Sequence, residues 1–260
     1  MPTAKPLRAL NIDVSAALAA RWRAWFAPEQ QPFVVSPAQA DALGRADEPD
    51  RLTPELRDTF FLWGPREGQS LVWLGQADVR ALPREERRAL LAAQAAPHRW
   101  DSDRLPGRLL RWVEEGRRPS AHDVVPDAVW RDAASAGLAG ARALAGRFPT
   151  ASGPNCFGTV MAATGVDGAA DVWMQREPFE KWLAGTRPTT NRRDDRPGTV
   201  LVWRDGAGAV QHAAVTLGGG WALHKPSQCW YSPVKVLTVA GVKASARTPG
   251  WHLSRHVLAG

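Results

Sequence analysis

Three residues have types and spacing suited to chemistry: Cys156, His212 and His224. Only two cysteines occur in the 260 residues, Cys156 and Cys229. Cys156 follows Ser152-Gly153-Pro154-Asn155 and precedes Phe157, Val160 and Met161. Asn is a favoured N-cap, and Pro154 disfavours helix before it. The pattern therefore predicts a helix whose first residue carries the thiol. There the thiol meets the positive end of the helix dipole and unsatisfied backbone N–H groups. Both favour thiolate, and the N–H groups suit an oxyanion. Ser152 and Asn155 are further candidates for oxyanion or substrate contacts. A lone cysteine is more often a small buried apolar residue. That reading is assigned to Cys229, which has no neighbouring His or acid, and it is weakened at Cys156 by the helix start.

His212 through Leu217 reads as a strand, Gly218–Gly220 as a turn and Trp221–His224 as the returning strand. A turn centred near Gly218 sets the two histidines opposite or one step off, with Cβ atoms roughly 5 Å apart. One imidazole then takes the thiol proton while the other holds it in position. The chemistry implied is acyl transfer through a thioacyl enzyme.

With these pieces assembled, the chain resembles the NlpC family of papain-like cysteine peptidases. The matching segments are Asn155-Cys156-Phe157-Gly158, Pro197 through Trp203, His212 through Leu217, Gly218–Gly220 and Trp221–His224. The resemblance spans about residues 140–240. It implies an α+β papain-like domain with the nucleophile helix packed on an antiparallel sheet. It also implies Cys156 as nucleophile, His212 as base and His224 as the group that orients the base, with no cofactor and no metal. The family's Asp before the nucleophile is Asn155 here, its following Ser is Phe157, and its upstream Tyr has no counterpart. The recognition shell is therefore expected to differ. The expected activity is a cysteine amidase or peptidase acting on a peptidoglycan-derived or other small amide, with an anionic substrate among the options. The alternatives are an acyltransferase or thioesterase on the same scaffold, or a catalytically inactive binding module.

The elements that must position these residues lie in the C-terminal part. Residues 1–125 are read as a mixed, helix-rich α+β region of unassigned role that offers a surface to a protein partner, and 126–260 as the hydrolase-like domain. The stretch 116–126, with Gly and two Pro, is the linker between them. Helices are expected near 15–26, 37–45, 53–59, 84–96, 104–115, 127–136, 137–147 and 178–184. Residues 59–63 and 70–74 are expected to pair as a hairpin. Lys and Arg number 33 against 26 Asp and Glu, a net charge of +7. The excess lies in residues 141–260, with 14 basic and 7 acidic side chains. A basic surface steers anions, but no nucleic-acid motif accompanies it. The first apolar run, Val14–Ala20, is cut by Arg21 and Arg23. No secretory signal, no membrane segment and a reducing, cytoplasmic location are the expectation. His98, His122 and the Asn191–Arg196 cluster are read as solvated. His252 and His256 are read as a surface pair on one helix face.

Overall fold

The computed structural model describes residues 7–64, 66–100 and 105–258. The start of the expected 104–115 helix and part of the 59–74 loop lie outside them. Two compact units emerge. One is Ser15–Glu115; the other combines the chain up to Val14 with Gly116 onward. This division differs from the boundary at 125 read from the sequence. A short antiparallel hairpin, β1 (Leu7–Ala9) and β2 (Ile12–Val14), belongs with the C-terminal part. The Leu10 carbonyl accepts from the Ser120 amide, and the Asn11 side chain donates to Ser120 O and Asp123. These bonds tie residues 116–126, the expected linker, into that unit.

The unit Ser15–Glu115 contains α1 (Ala16–Phe26), β3 (Gln30–Val35), α2 (Pro37–Ala42), α3 (Pro54–Phe60), β4 (Ser70–Gly75), α4 (Gln76–Ala81), α5 (Arg84–Ala92) and α6 (Leu105–Glu114). Local chemistry starts the first three helices. Ser15, Ser36 and Thr53 each cap with a side-chain oxygen, and Ser36 with Gln39 completes a capping box. The expected hairpin of 59–63 with 70–74 does not form. Thr59 and Phe60 complete α3, and Phe61 ends it in the left-handed conformation. β4 pairs instead with β3, Phe33 opposite Val72. The helix started by Thr53 and Pro54 runs one residue further than expected and takes Thr59 and Phe60 from the hairpin.

The C-terminal part continues with α7 (Asp127–Ser135), α8 (Ala141–Leu144), α9 (Cys156–Ala163), α10 (Arg176–Leu183), β5 (Arg187–Thr189), β6 (Pro197–Arg204), β7 (Val210–Gly218), β8 (Trp221–His224), β9 (Lys235–Thr238), α11 (Val239–Ser245) and β10 (His252–Val257). The helix expected over 137–147 is reduced to α8 between Gly137 and Gly146, both at positive φ. Six strands form one antiparallel sheet in the order β5-β10-β6-β7-β8-β9. Strand alternation gives the sheet two apolar faces. Val200, Val202, Ala213, Val215, Leu223 and Val236 pack with α7, α9 and α10. Leu201, Trp203, Ala214, Ala222 and Leu237 pack with α11. The fold is thus α+β, with a helix layer on an antiparallel sheet.

Two expectations about polar residues are corrected. His252 and His256 lie on β10, not on a helix. In the Asn191–Arg196 cluster, Asp194 is buried and bridges Arg255 at 2.7 Å and Lys243. Burial alone would raise its carboxyl, but the hydrogen bonds and charges of Arg255 and Lys243 outweigh burial and hold it below the ordinary carboxylate range. No helix among the described residues is long and apolar enough to cross a membrane.

Candidate active site

α9 starts at Cys156 because Asn155 caps it. The Asn155 side-chain oxygen accepts from the Gly158 amide at 3.1 Å, and its nitrogen donates to the Met174 carbonyl at 2.7 Å. Asn155 thus serves as cap and loop clamp. Ser152 Oγ accepts from the Trp230 amide at 3.1 Å and holds the segment after β8. Every residue of α9 but Ala162 is buried. Position 158 must be glycine: a Cβ there would sit 2.1 Å from the Ala169 carbonyl oxygen.

β7 and β8 are joined by a two-residue turn, Gly219–Gly220, with both φ positive, at 58° and 81°. That is the turn whose twist suits a hairpin. It pairs Val215 with Leu223 and Thr216 with Ala222. His224 therefore falls two residues from His212 in register, rather than opposite or one step off. An even offset preserves the face, so the imidazoles still meet. Their Nε2 atoms are 2.9 Å apart and the rings stand edge to face at 86°. Trp203, the register partner of His212 on β6, lies 5.4 Å from it, ring to ring.

The structure brings Cys156 to this strand one residue further on. Its thiol lies against the backbone N–H of Ala213. In the β7–β8 register the partner of Ala213 would be residue 225, but β8 ends at His224. The thiol arrives from the α9 side at that gap. The imidazoles belong by alternation to the Trp203 side of β7. Among the described residues no hydrogen bond joins the thiol to either histidine.

Burial dominates the electrostatics. The Cys156 thiol is pushed up to about 11 by desolvation, against smaller lowering from the amides of Ala213, Phe157 and Cys156 and from the Lys225 charge. The thiolate expected from the helix start is thus overridden: losing water costs the anion more than the dipole returns. His212 is lowered to about 4 by burial. His224 is held well below the ordinary imidazole value by burial first, then by His212, Lys235 and Lys225. At neutral pH all three groups are uncharged.

Lys225 is a buried charge beside Cys156 and His224 that sequence reasoning missed. It is 1% exposed, donates to the Ser232 carbonyl, and lines a cavity of about 250 Å³ beside the 147–154 loop together with Arg147, Ser152 and Asp171. No sequence signal distinguishes it from a surface lysine. Cys229, read as structural, is buried and forms no disulfide. Among the described residues no group of three or more His, Cys, Asp or Glu is placed to hold a metal. No protein-family model, curated protein or solved structure matches the chain, so the reading of this site rests on its own geometry.

Proposed function

We propose that the chain is a cysteine-dependent amidase or peptidase of papain-like, NlpC-type design, acting through a thioacyl intermediate. The observation that supports this is the convergence at Ala213. A thiol on a capped helix start reaches the strand next to an imidazole whose Nε2 is already held by a second imidazole.

Nε2 of His212 faces His224, so Nδ1 is the nitrogen left for the thiol. To act as base there, His212 carries its proton on Nε2 and donates it to His224 Nε2. His224 then carries its own proton on Nδ1, an atom that is buried without a hydrogen-bond partner. The opposite tautomer pair leaves His212 Nδ1 protonated and unable to accept. His224 is thus a positioning residue that selects the active tautomer.

Because thiol and base are both neutral, proton transfer accompanies attack instead of preceding it. For this step His212 must leave the Trp203 side of β7 and bring Nδ1 round through the gap beyond β8, where it takes the thiol proton as sulfur bonds to the carbonyl carbon. The backbone N–H of Cys156 faces the oxyanion. The imidazolium returns the proton to the leaving amine as the C–N bond breaks. Water, deprotonated by the same imidazole, then displaces sulfur and releases the acid. The Lys225 and Arg147 cavity favours a small amide or peptide with an anionic group, a peptidoglycan fragment included. Two cysteines that form no disulfide fit a reducing compartment such as the cytoplasm. Capture of the acyl group by an added amine would make the same machinery a transferase.

The raised thiol and its missing bond to His212 favour a second reading, an inactive fold retained as a binding module. 4-Nitrophenyl acetate separates the two. The hydrolase reading expects a stoichiometric nitrophenolate burst and an acetyl group on Cys156 by peptide mass, lost in Cys156→Ala and kept in Cys229→Ser. No burst, or acetylation shared equally by both cysteines, leaves the module reading.

A further inference from the structure

A second cavity, of about 270 Å³, lies between the start of residues 116–126, the segment after β8 and the end of α11. Arg117, Arg118 and Lys235 line it together with Ser227, Ser232 and Ser245, and no carboxylate lines it. Lys235 is 3% exposed and donates to the Arg118 carbonyl at 3.0 Å. Arg117 lies over the Tyr231 ring at 4.6 Å, which fixes its guanidinium. Arg118 and Lys235 bring two like charges to one small space, where they repel each other unless an anion joins them.

We infer that this cavity is a binding site for a tetrahedral dianion, specifically the phosphate group of a small phosphomonoester. A carboxylate would compensate one of the two charges of Arg118 and Lys235, whereas a phosphate dianion compensates both. Its oxygens also match the forked donors of arginine and the hydroxyls of the serine wall. A volume of about 270 Å³ suits a small ligand. The field of its neighbours supports the reading: burial first, then Arg117 and Arg118, lower the Lys235 ammonium to about 8. An anion placed there would relieve the second contribution. Lys235 is also the register partner of His224 on β8, so the site borders the imidazole pair. The inference does not depend on the catalytic reading.

The test uses the full chain and inorganic phosphate as probe, with thermal unfolding followed at constant ionic strength against chloride and acetate. Phosphate should raise the midpoint saturably, sulfate should do so more weakly, and chloride and acetate should not. Arg118→Ala, at an exposed position whose backbone carbonyl is retained, should raise the apparent Kd at least tenfold, and Lys235→Met should abolish the effect where it folds. Equal shifts from phosphate and acetate, or an unchanged phosphate response in Arg118→Ala, would overturn the assignment.

Discussion

His98, partly buried, and His212, buried, are both lowered to about 4 by loss of water, yet their surroundings differ. His98, in the Ser15–Glu115 unit, stacks on Phe33 with centroids 3.8 Å apart, and its Nε2 bonds the Pro32 carbonyl. It acts as a flat apolar residue that also satisfies a backbone oxygen, not the solvated loop residue the sequence suggested. His212 meets Trp203 at a tilt of 52° instead of stacking, its Nε2 meets another titratable ring, and the next residue touches a thiol. Depression by burial is therefore no mark of function by itself. What sets His212 apart is a neighbour able to exchange a proton with it.

That contrast breaks most readily by mutation. On the proposed mechanism, His212→Ala should slow acylation of Cys156 by about 10²–10⁴-fold, the usual worth of a positioned base. His98→Leu should leave the rate within about twofold; burst kinetics with 4-nitrophenyl acetate measure both. The next effect sharpens what the two share. Each is neutral when folded and titrates near 6.5 when unfolded. As pH falls below 6.5 the unfolded chain takes up protons that the native state refuses until about pH 4. Stability should therefore be full above 6.5 and fall across that window, by at most about 3 kcal/mol for each imidazole. Urea titrations at pH 7.5, 6 and 5 should show this slope, and His98→Leu should lessen it. A smaller effect probes tautomer control: His224→Leu should slow acylation about tenfold, while His224→Asn, which keeps an acceptor for His212, should restore most of it. Smallest is the cap. Asn155→Ala should cost about 1 kcal/mol in chemical denaturation.

The parts of this architecture that were legible in the sequence are those decided locally. Pro154 and Asn155 announce the start of α9, and Ser15, Ser36 and Thr53 announce their helices, because capping needs only residues within one turn. The triple glycine announces a hairpin, but not which two residues form its tight turn, and that choice moved the histidine register by two. The pairing of β3 with β4 was hidden because α3 lies between them and offered residues that looked like a nearer partner. The docking of residues 7–14 on Ser120 and Asp123 was hidden for the same reason: it is a contact across the whole intervening unit. The protonation state of Cys156 was misjudged because a helix dipole can be inferred from one segment, whereas desolvation comes from everything packed around it. Lys225 and Lys235 carried no signal, since burial of a lysine is decided by its strand neighbours.

The most direct test of the central claim, that Cys156 and His212 work as a neutral thiol–imidazole pair, is the pH–rate profile for acylation of Cys156. It should be recorded from pH 4 to 10 in wild type and His212→Ala. The account predicts a wild-type rate that rises as His212 loses its proton and is then level through neutrality, because the base and not prior ionisation supplies the thiolate. His212→Ala should instead rise tenfold per pH unit across the range, as expected of an isolated thiol near 11. Superimposable profiles, both climbing with that slope, would contradict the pair and leave Cys156 a buried structural cysteine.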